Sequence, residues 1–301
     1  MPELPEVEIT ARLIGAATSG AEIESALAPG INAVKTFDPP LQALTGARIA
    51  GIRRRGKLFL IDLDGAGVSA QDAGGQAGPP AEYTLLVHLM SAGRLQLFDK
   101  RASLRDKTSR VLLRLAGGER ELRLREFGTK QRAWVKLLRR EEVDAEETLA
   151  ALGPEAWPDT PEPQALRELL DQPRPLYAVL RDQHVIAGIG RSWVDEILHT
   201  ARLSPFKRGA DLTEGEAAAL REAIHDRLDG AVSHYARELA LPIPDKLPMP
   251  LTVHRHNGEP CPRCGTTLEA VFYEDYVMCY CPVCQTDGKV LKDRRLSRLL
   301  K

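Results

Sequence analysis

The sequence predicts an α+β protein of more than one domain. Three observations carry this reading: alternating apolar positions broken by glycine turns fill the first 150 residues, helical periodicity follows a proline-rich joint, and the C-terminal segment holds two paired-cysteine motifs. At 301 residues, with 43% hydrophobic and 28% charged side chains, the chain is long enough for two domains and for a sizeable core. Such a composition excludes a disordered tail or a stapled mini-protein. No stretch approaches the roughly 18 to 20 uninterrupted apolar residues of a membrane helix, and the opening MPELPEVE lacks the basic and apolar parts of a signal peptide. A cytoplasmic protein with no membrane partner is therefore expected.

The elements follow in order. Pro5 near a first turn, acidic Glu6 and Glu8, and the apolar stripe Val7, Ile9, Leu13 and Ile14 predict an opening helix. Half-buried antiparallel strands are expected in 52–63, 83–97, 110–115 and 121–124, the last two around Gly117-Gly118. Between the first two, residues 64–81 are rich in glycine with two prolines and read as a flexible surface loop. After Pro154, Pro158, Pro161 and Pro163, helices are expected at 165–170, 176–180, 194–203 and 213–239, the last opening with the capping box Thr213-x-x-Glu216. A second proline cluster, Pro242 to Pro250, precedes the cysteine-bearing tail. The expected domains are 1–150, 151–250 and 251–301.

Charge gives no global signature of a polyanion binder: 41 basic against 42 acidic residues leave a formal charge of −1. Basic character is local, in Arg53-Arg54-Arg55-Gly56-Lys57 and in residues 289–301, where six Lys and Arg face Asp293 alone. Taken by themselves, both runs read as solvated surface.

Cys261-Pro-Arg-Cys264, sixteen residues, then Cys281-Pro-Val-Cys284 has the spacing of a four-thiolate zinc site. Each knuckle places two thiolates on one side of a Zn²⁺ ion, and closed coordination makes the metal structural. One ion per chain is expected, binding with an apparent free energy of about 10 to 16 kcal/mol in comparable peptides. Disulfides are the rival, disfavoured by the odd cysteine count and the expected compartment. Cys279, the fifth, is either a buried small residue or a substitute ligand.

The N-terminus carries the other candidate chemistry. A small residue such as Pro2 permits removal of the initiator methionine, which leaves a secondary amine, and an α-amino group near 7.7 to 8.0 is far more often neutral at pH 7 than lysine. Attack of such an amine on a sugar C1′ ejects a base and leaves an iminium ion, an electron sink for later elimination. Glu3 and Glu6 supply carboxylates within one turn for the proton transfers. Taken alone, the ordinary reading prevails, since many chains begin Met-Pro and acids in a first turn are common helix capping.

The order of further motifs adds a resemblance. Pro2-Glu3-Leu4-Pro5-Glu6-Val7-Glu8, Arg53 to Lys57 before an apolar strand, His88-Leu89 with Gly93-Arg94, Phe127-Gly128, Leu152-Gly153-Pro154, residues 186–190 followed by Asp195-Glu196-Ile197-Leu198, and Gly258-Glu259-Pro260-Cys261 together resemble the formamidopyrimidine-DNA glycosylases and their endonuclease VIII relatives. The resemblance spans nearly the whole chain. It implies a two-layer β-sandwich with an N-terminal helix, a helix-two-turns-helix domain and a zinc-finger β-hairpin, with double-stranded DNA in the cleft between domains. It also implies a monomeric bifunctional glycosylase and abasic-site lyase that removes damaged bases through a proline Schiff base with β/δ-elimination. In that frame Pro2 is the nucleophile, Glu3 the general acid/base, Glu6 a relay or positioning group, and Lys57 a contact to phosphate or sugar. His88, Met90, Arg125, Phe127, Arg191 and Tyr276 are the implied DNA-binding residues, Arg125 and Phe127 filling the gap left by a flipped base. Without the family pattern, Lys57 reads as a surface lysine and Phe127 as a core aromatic.

Several positions depart from the family. Ser91 stands where its inserted methionine is expected, with Met90 one residue early. Arg191 replaces the usual asparagine after the glycine turn, and Tyr276 replaces the arginine five residues before the third cysteine. The segment 235–252 does not resemble the loop that caps oxidised purines in some members. An alternative class is a non-catalytic protein on the same scaffold that binds damaged or structured DNA.

Overall fold

The computed structural model describes residues 2–66, 81–273 and 276–292. Most of the glycine-rich loop expected at 64–81, and the basic tail beyond Lys292, lie outside the described residues. The chain divides into two compact units, one of residues 1–151 with 235–247, the other of residues 152–234 with 248–301.

The first unit opens with helix α1 (Leu4–Thr18). Glu6 reaches back to accept the Glu3 N–H at 2.8 Å, closing the first turn. Eight strands follow: β1 (Ile23–Leu27), β2 (Arg48–Arg55), β3 (Leu58–Ala66), β4 (Ala81–His88), β5 (Gly93–Phe98), β6 (Ser109–Leu115), β7 (Glu121–Glu126) and β8 (Trp134–Arg139). They form two four-stranded antiparallel sheets, ordered β2-β3-β4-β8 and β1-β6-β7-β5. Every second residue faces the shared core: Phe59, Ile61 and Leu63 on β3, Leu85 and Val87 on β4, Val111, Leu113 and Leu115 on β6, and Leu122 and Leu124 on β7. Val7, Ala11 and Ile14 of α1 pack into the same core, as the helical stripe predicts.

Two expected strands divide. Segment 52–63 becomes a hairpin whose two-residue loop is Gly56-Lys57, with Gly56 at φ +56° in the left-handed region such a loop calls for. Segment 83–97 becomes β4 and β5, which belong to different sheets. The crossing is tight enough that a Cβ on Gly93 would lie 2.4 Å from the Leu89 carbonyl oxygen, which accepts the Gly93 N–H at 2.8 Å. Strands β1 and β8 are additional to those predicted.

The proline segment after residue 235 adds Ile243 and Leu247 to the first unit's core. It is pinned to β5, where Gln96 Nε2 donates to the Ile243 carbonyl (2.7 Å) and Arg94 Nε to that of Asp245 (2.6 Å).

The second unit holds the predicted helices. Helices α3 (Pro163–Leu170), α4 (Leu176–Val179) and α6 (Glu214–Glu238) fall where periodicity placed them, the last turn of α6 from Tyr235 onward belonging to the first unit; α5 (Arg191–Thr200) starts and ends three residues before the expected 194–203, and α2 (Glu147–Ala150) is a single added turn ending the first unit's opening segment. The capping box of α6 is formed in both directions, Thr213 N–H to Glu216 at 2.9 Å and Glu216 N–H to Thr213 Oγ1 at 3.3 Å. Strands β9 (Glu269–Phe272) and β10 (Val277–Tyr280) pair antiparallel, and helix α7 (Pro282–Thr286) follows. Among the described residues no helix is long and apolar enough to cross a membrane.

Candidate active site and zinc centre

The four cysteines of the tail come together. All four Sγ atoms lie within 4.8 Å of one another, with Cys264 3.5 Å from both Cys281 and Cys284, and Cys261 4.0 Å from Cys284. A tetrahedral ion with Zn–S bonds of about 2.3 Å needs sulfurs about 3.8 Å apart, so the set forms a closed structural zinc site. Backbone N–H groups of Arg263 and Cys284 approach the Cys261 and Cys281 sulfurs at 3.5 and 3.4 Å, which suits thiolates. Cys279 is not among these ligands. It is buried, accepts the Arg255 N–H at 3.2 Å, and has its thiol pushed up to about 11 by burial and by Asp195.

Helix α5 fastens this finger. Glu196, fully buried, accepts the backbone N–H groups of Thr252, Val253 and His254 at 3.0, 2.8 and 2.9 Å. Asp195 accepts the Cys279 N–H at 3.0 Å and lies 2.6 Å from His254 Nδ1; burial raises its carboxyl to about 7. Arg263 returns the contact by donating to the carbonyls of His199 (2.8 Å) and Thr200 (3.2 Å) at the negative end of α5. His199 Nε2 lies 3.2 Å from Cys261 Sγ, adjoining the metal site.

At the N-terminus, Pro2 is half-buried while Glu3 and Glu6 are 1% and 3% exposed. Both Glu6 oxygens are engaged, Oε2 by the Glu3 N–H and Oε1 by Tyr235 Oη at 2.9 Å. Tyr235 was not singled out from sequence; its spacing with Leu228 and Val232 marks it as the inner face of α6, but nothing local reveals a partner 229 residues away. Burial and the two carboxylates push its phenol well above the usual range, so it donates as a neutral hydroxyl.

Lys57 sits at the β2–β3 turn and His88 at the end of β4, in register with Leu58. Burial and the Lys57 charge push His88 down to about 4. Its Nδ1 accepts the Met90 N–H at 2.8 Å, and its ring stacks on Trp134 at 5.3 Å. Met90 occupies the left-handed region at φ +50°, a turn position.

Phe127 lies just past β7, half-buried and outside the core cluster, with the Arg125 guanidinium 4.7 Å from its ring centre. Arg125 also donates to Gln96 Oε1 and Asp245 Oδ1, each at 3.1 Å. In the second unit Arg191 opens α5 with its guanidinium 5.0 Å from the Tyr276 ring. Two of the departures from the expected pattern, Arg191 and Tyr276, thus lie against each other.

Two antiparallel sheets with an N-terminal helix, followed by a helical unit and a four-cysteine hairpin, define the architecture. Residues 1–130 match the formamidopyrimidine-DNA glycosylase N-terminal domain, and residues 152–240 match the formamidopyrimidine-DNA glycosylase H2TH domain. The formamidopyrimidine-DNA glycosylase of Moorella thermoacetica is 32% identical over 279 residues, 90% of this chain and 94% of that one. An uncharacterized formamidopyrimidine-DNA glycosylase-like protein of Mycobacterium tuberculosis is 45% identical over 123 residues, 41% of this chain and 78% of that one. The crystal structure of the Lactococcus lactis formamidopyrimidine-DNA glycosylase bound noncovalently to DNA with an abasic site superposes with a TM-score of 0.76 at 26% identity, covering 95% of this chain and all of that one. The chain belongs to the formamidopyrimidine-DNA glycosylase family.

Proposed function

We propose that this protein is a bifunctional DNA glycosylase and abasic-site lyase acting on double-stranded DNA that carries a damaged base or an abasic site. The observation that carries the reading is the pair of buried carboxylates beside Pro2, with Glu6 held by the Glu3 N–H and by Tyr235. Once the initiator methionine is removed, the Pro2 nitrogen attacks C1′ of the flipped nucleotide. The glycosidic bond breaks, the base leaves with a proton, and an iminium ion joins Pro2 to the ring-opened sugar. Loss of a C2′ proton then expels the 3′-phosphate, and a second elimination expels the 5′-phosphate. Water finally hydrolyses the iminium and frees the amine.

Glu3 is the acid/base for these transfers. Glu6 is a positioning residue, since its oxygens fix the backbone that carries Glu3. Lys57, at the tip of the β2–β3 hairpin, offers a cation to a phosphate or to the sugar oxygen. Arg125 and Phe127 fill the space vacated by the base, while His88, Met90, Arg191 and Tyr276 contact the duplex. Zinc, held by Cys261, Cys264, Cys281 and Cys284, braces the finger and takes no part in proton transfer. The relative's complex with abasic-site DNA supports the choice of ligand.

Borohydride reduction in the presence of an abasic-site duplex tests the reading. The expected result is a covalent adduct mapped to Pro2 by mass spectrometry, lost in Pro2→Gly together with base excision. Retention of Met1, an adduct on another residue, or undiminished excision by Pro2→Gly would overturn it. A binder without chemistry would retard the duplex and yield no adduct.

A further inference from the structure

Strand β7 places a charge where its pattern calls for a hydrocarbon. Leu122 and Leu124 face the sandwich core, and Glu126 takes the next inward position, fully buried. Its counter-ion is Arg110, 3% exposed, whose Nε lies 3.7 Å from Glu126 Oε2 at the irregularity of β6 between Ser109 and Val111. Both members of the pair grip the loop of residues 127–133 that joins β7 to β8. Glu126 Oε2 accepts the Ala133 N–H at 2.7 Å, and Arg110 Nη2 donates to the Ala133 carbonyl at 3.3 Å. Gln131 closes the same loop, its Nε2 donating to the carbonyls of Lys107 (2.8 Å) and Glu126 (3.0 Å).

The geometry points to Arg110, Glu126 and Gln131 as positioning residues that hold Arg125 and Phe127 preformed for insertion into the duplex, an inference that rests on the role proposed for Arg125 and Phe127 above. Successive side chains along a strand alternate between faces, so a Glu126 fixed inward turns its two neighbours outward. Phe127 is the first residue of the loop and Ala133 the last, and the buried pair ties the two ends together. Arg125 is steadied in turn by Thr108 Oγ1 at 3.2 Å and by the Phe127 ring. A loose loop would lose its conformational freedom at the moment the base is displaced, whereas a loop already ordered does not add that cost to flipping. Core packing does not account for the pair. Apolar side chains at 110 and 126 would fill the interior without desolvating two charges, and Glu126 Oε1 has no hydrogen-bond partner among the described residues.

Insertion can be read apart from chemistry. In a duplex with 2-aminopurine opposite tetrahydrofuran, an uncleavable abasic-site analogue, insertion unstacks the fluorescent base and raises its emission. At saturating wild-type protein a rise is expected. Glu126→Ala should give about half of that rise or less, while its Kd by anisotropy changes by about threefold at most, because the misplaced side chains act after encounter. Gln131→Ala removes a half-buried amide outside the core, so it should fold with an unchanged Tm and still lower the rise. Arg110→Met strands the Glu126 charge and should lower it as well; Arg110→Met/Glu126→Gln removes both charges, keeps an acceptor for the Ala133 N–H, and should regain part of the loss. A full rise in Glu126→Ala with a lowered Tm would reduce the pair to a structural brace and overturn the inference. So would a full rise in Gln131→Ala, a double variant no better than Arg110→Met, or no rise in wild type. If wild type gives the rise yet no borohydride adduct, the lyase reading falls and the positioning roles stand.

Discussion

His88 stands where desolvation and a neighbouring lysine act in the same direction. Both disfavour its imidazolium, and the Met90 N–H aimed at Nδ1 requires an unprotonated nitrogen there. The neutral ring thus carries its proton on Nε2, a donor with a fixed orientation set by the Trp134 stack. With a folded value near 4 below the ordinary 6.5, the group's contribution to stability is complete above pH 6.5 and is lost as pH falls toward 4, amounting to about 3 kcal/mol. NMR titration should find His88 neutral at pH 5. A midpoint near 6.5 would contradict the burial argument. Sequence marked His88 through its motif, but no local feature disclosed that it would be neutral, because Lys57 reaches it only across the β3–β4 register.

At the scale of elements, α5 is the member on which the finger depends. A zinc hairpin has little core of its own; here Val253, Leu268 and the cysteines make a small cluster. The buried acids of α5 supply what hydrophobic area does not, Glu196 alone satisfying three successive backbone N–H groups. Glu196→Ala leaves those donors without partners and is expected to cost about 3 to 5 kcal/mol, measured as a lowered Tm and faster zinc loss to a chelator. Glu196→Gln, keeping the shape and one acceptor, should cost less than half of that. The pattern Asp195-Glu196-Ile197-Leu198 was legible as a family motif, and α5 itself as a periodic helix. That its two acids would face inward, against the rule that carboxylates seek water, follows from the unpaired N–H groups they meet.

For the molecule as a whole, the two compact units have different sources of stability. The first is closed by a sandwich core built from eight strands and α1, whereas the tail of the second relies on metal. Removing zinc with a chelator should abolish amide protection in residues 252–292 and leave the slowest-exchanging amides of β3, β4, β6 and β7 unchanged in hydrogen-exchange mass spectrometry. Loss of protection in both units together would show that the metal supports more than its finger. Duplex affinity should fall with the finger, since Tyr273 and Tyr276 flank its hairpin strands.

By itself the sequence determined the periodicities, the caps and the ligand set. Apolar spacing of two or near 3.6 follows from backbone geometry, and CxxC spacing from the reach of a knuckle, so these features are local and can be read along the chain. Family membership was legible for the same reason, as ordered short motifs. Tertiary structure alone decided that 83–97 would be shared between two sheets, that Tyr235 would close on Glu6, and that Ile243 would join the first core. Each of these pairs residues far apart in the chain, and such pairs are selected by burial and hydrogen-bond satisfaction in the folded state, to which neighbours in sequence contribute no signal.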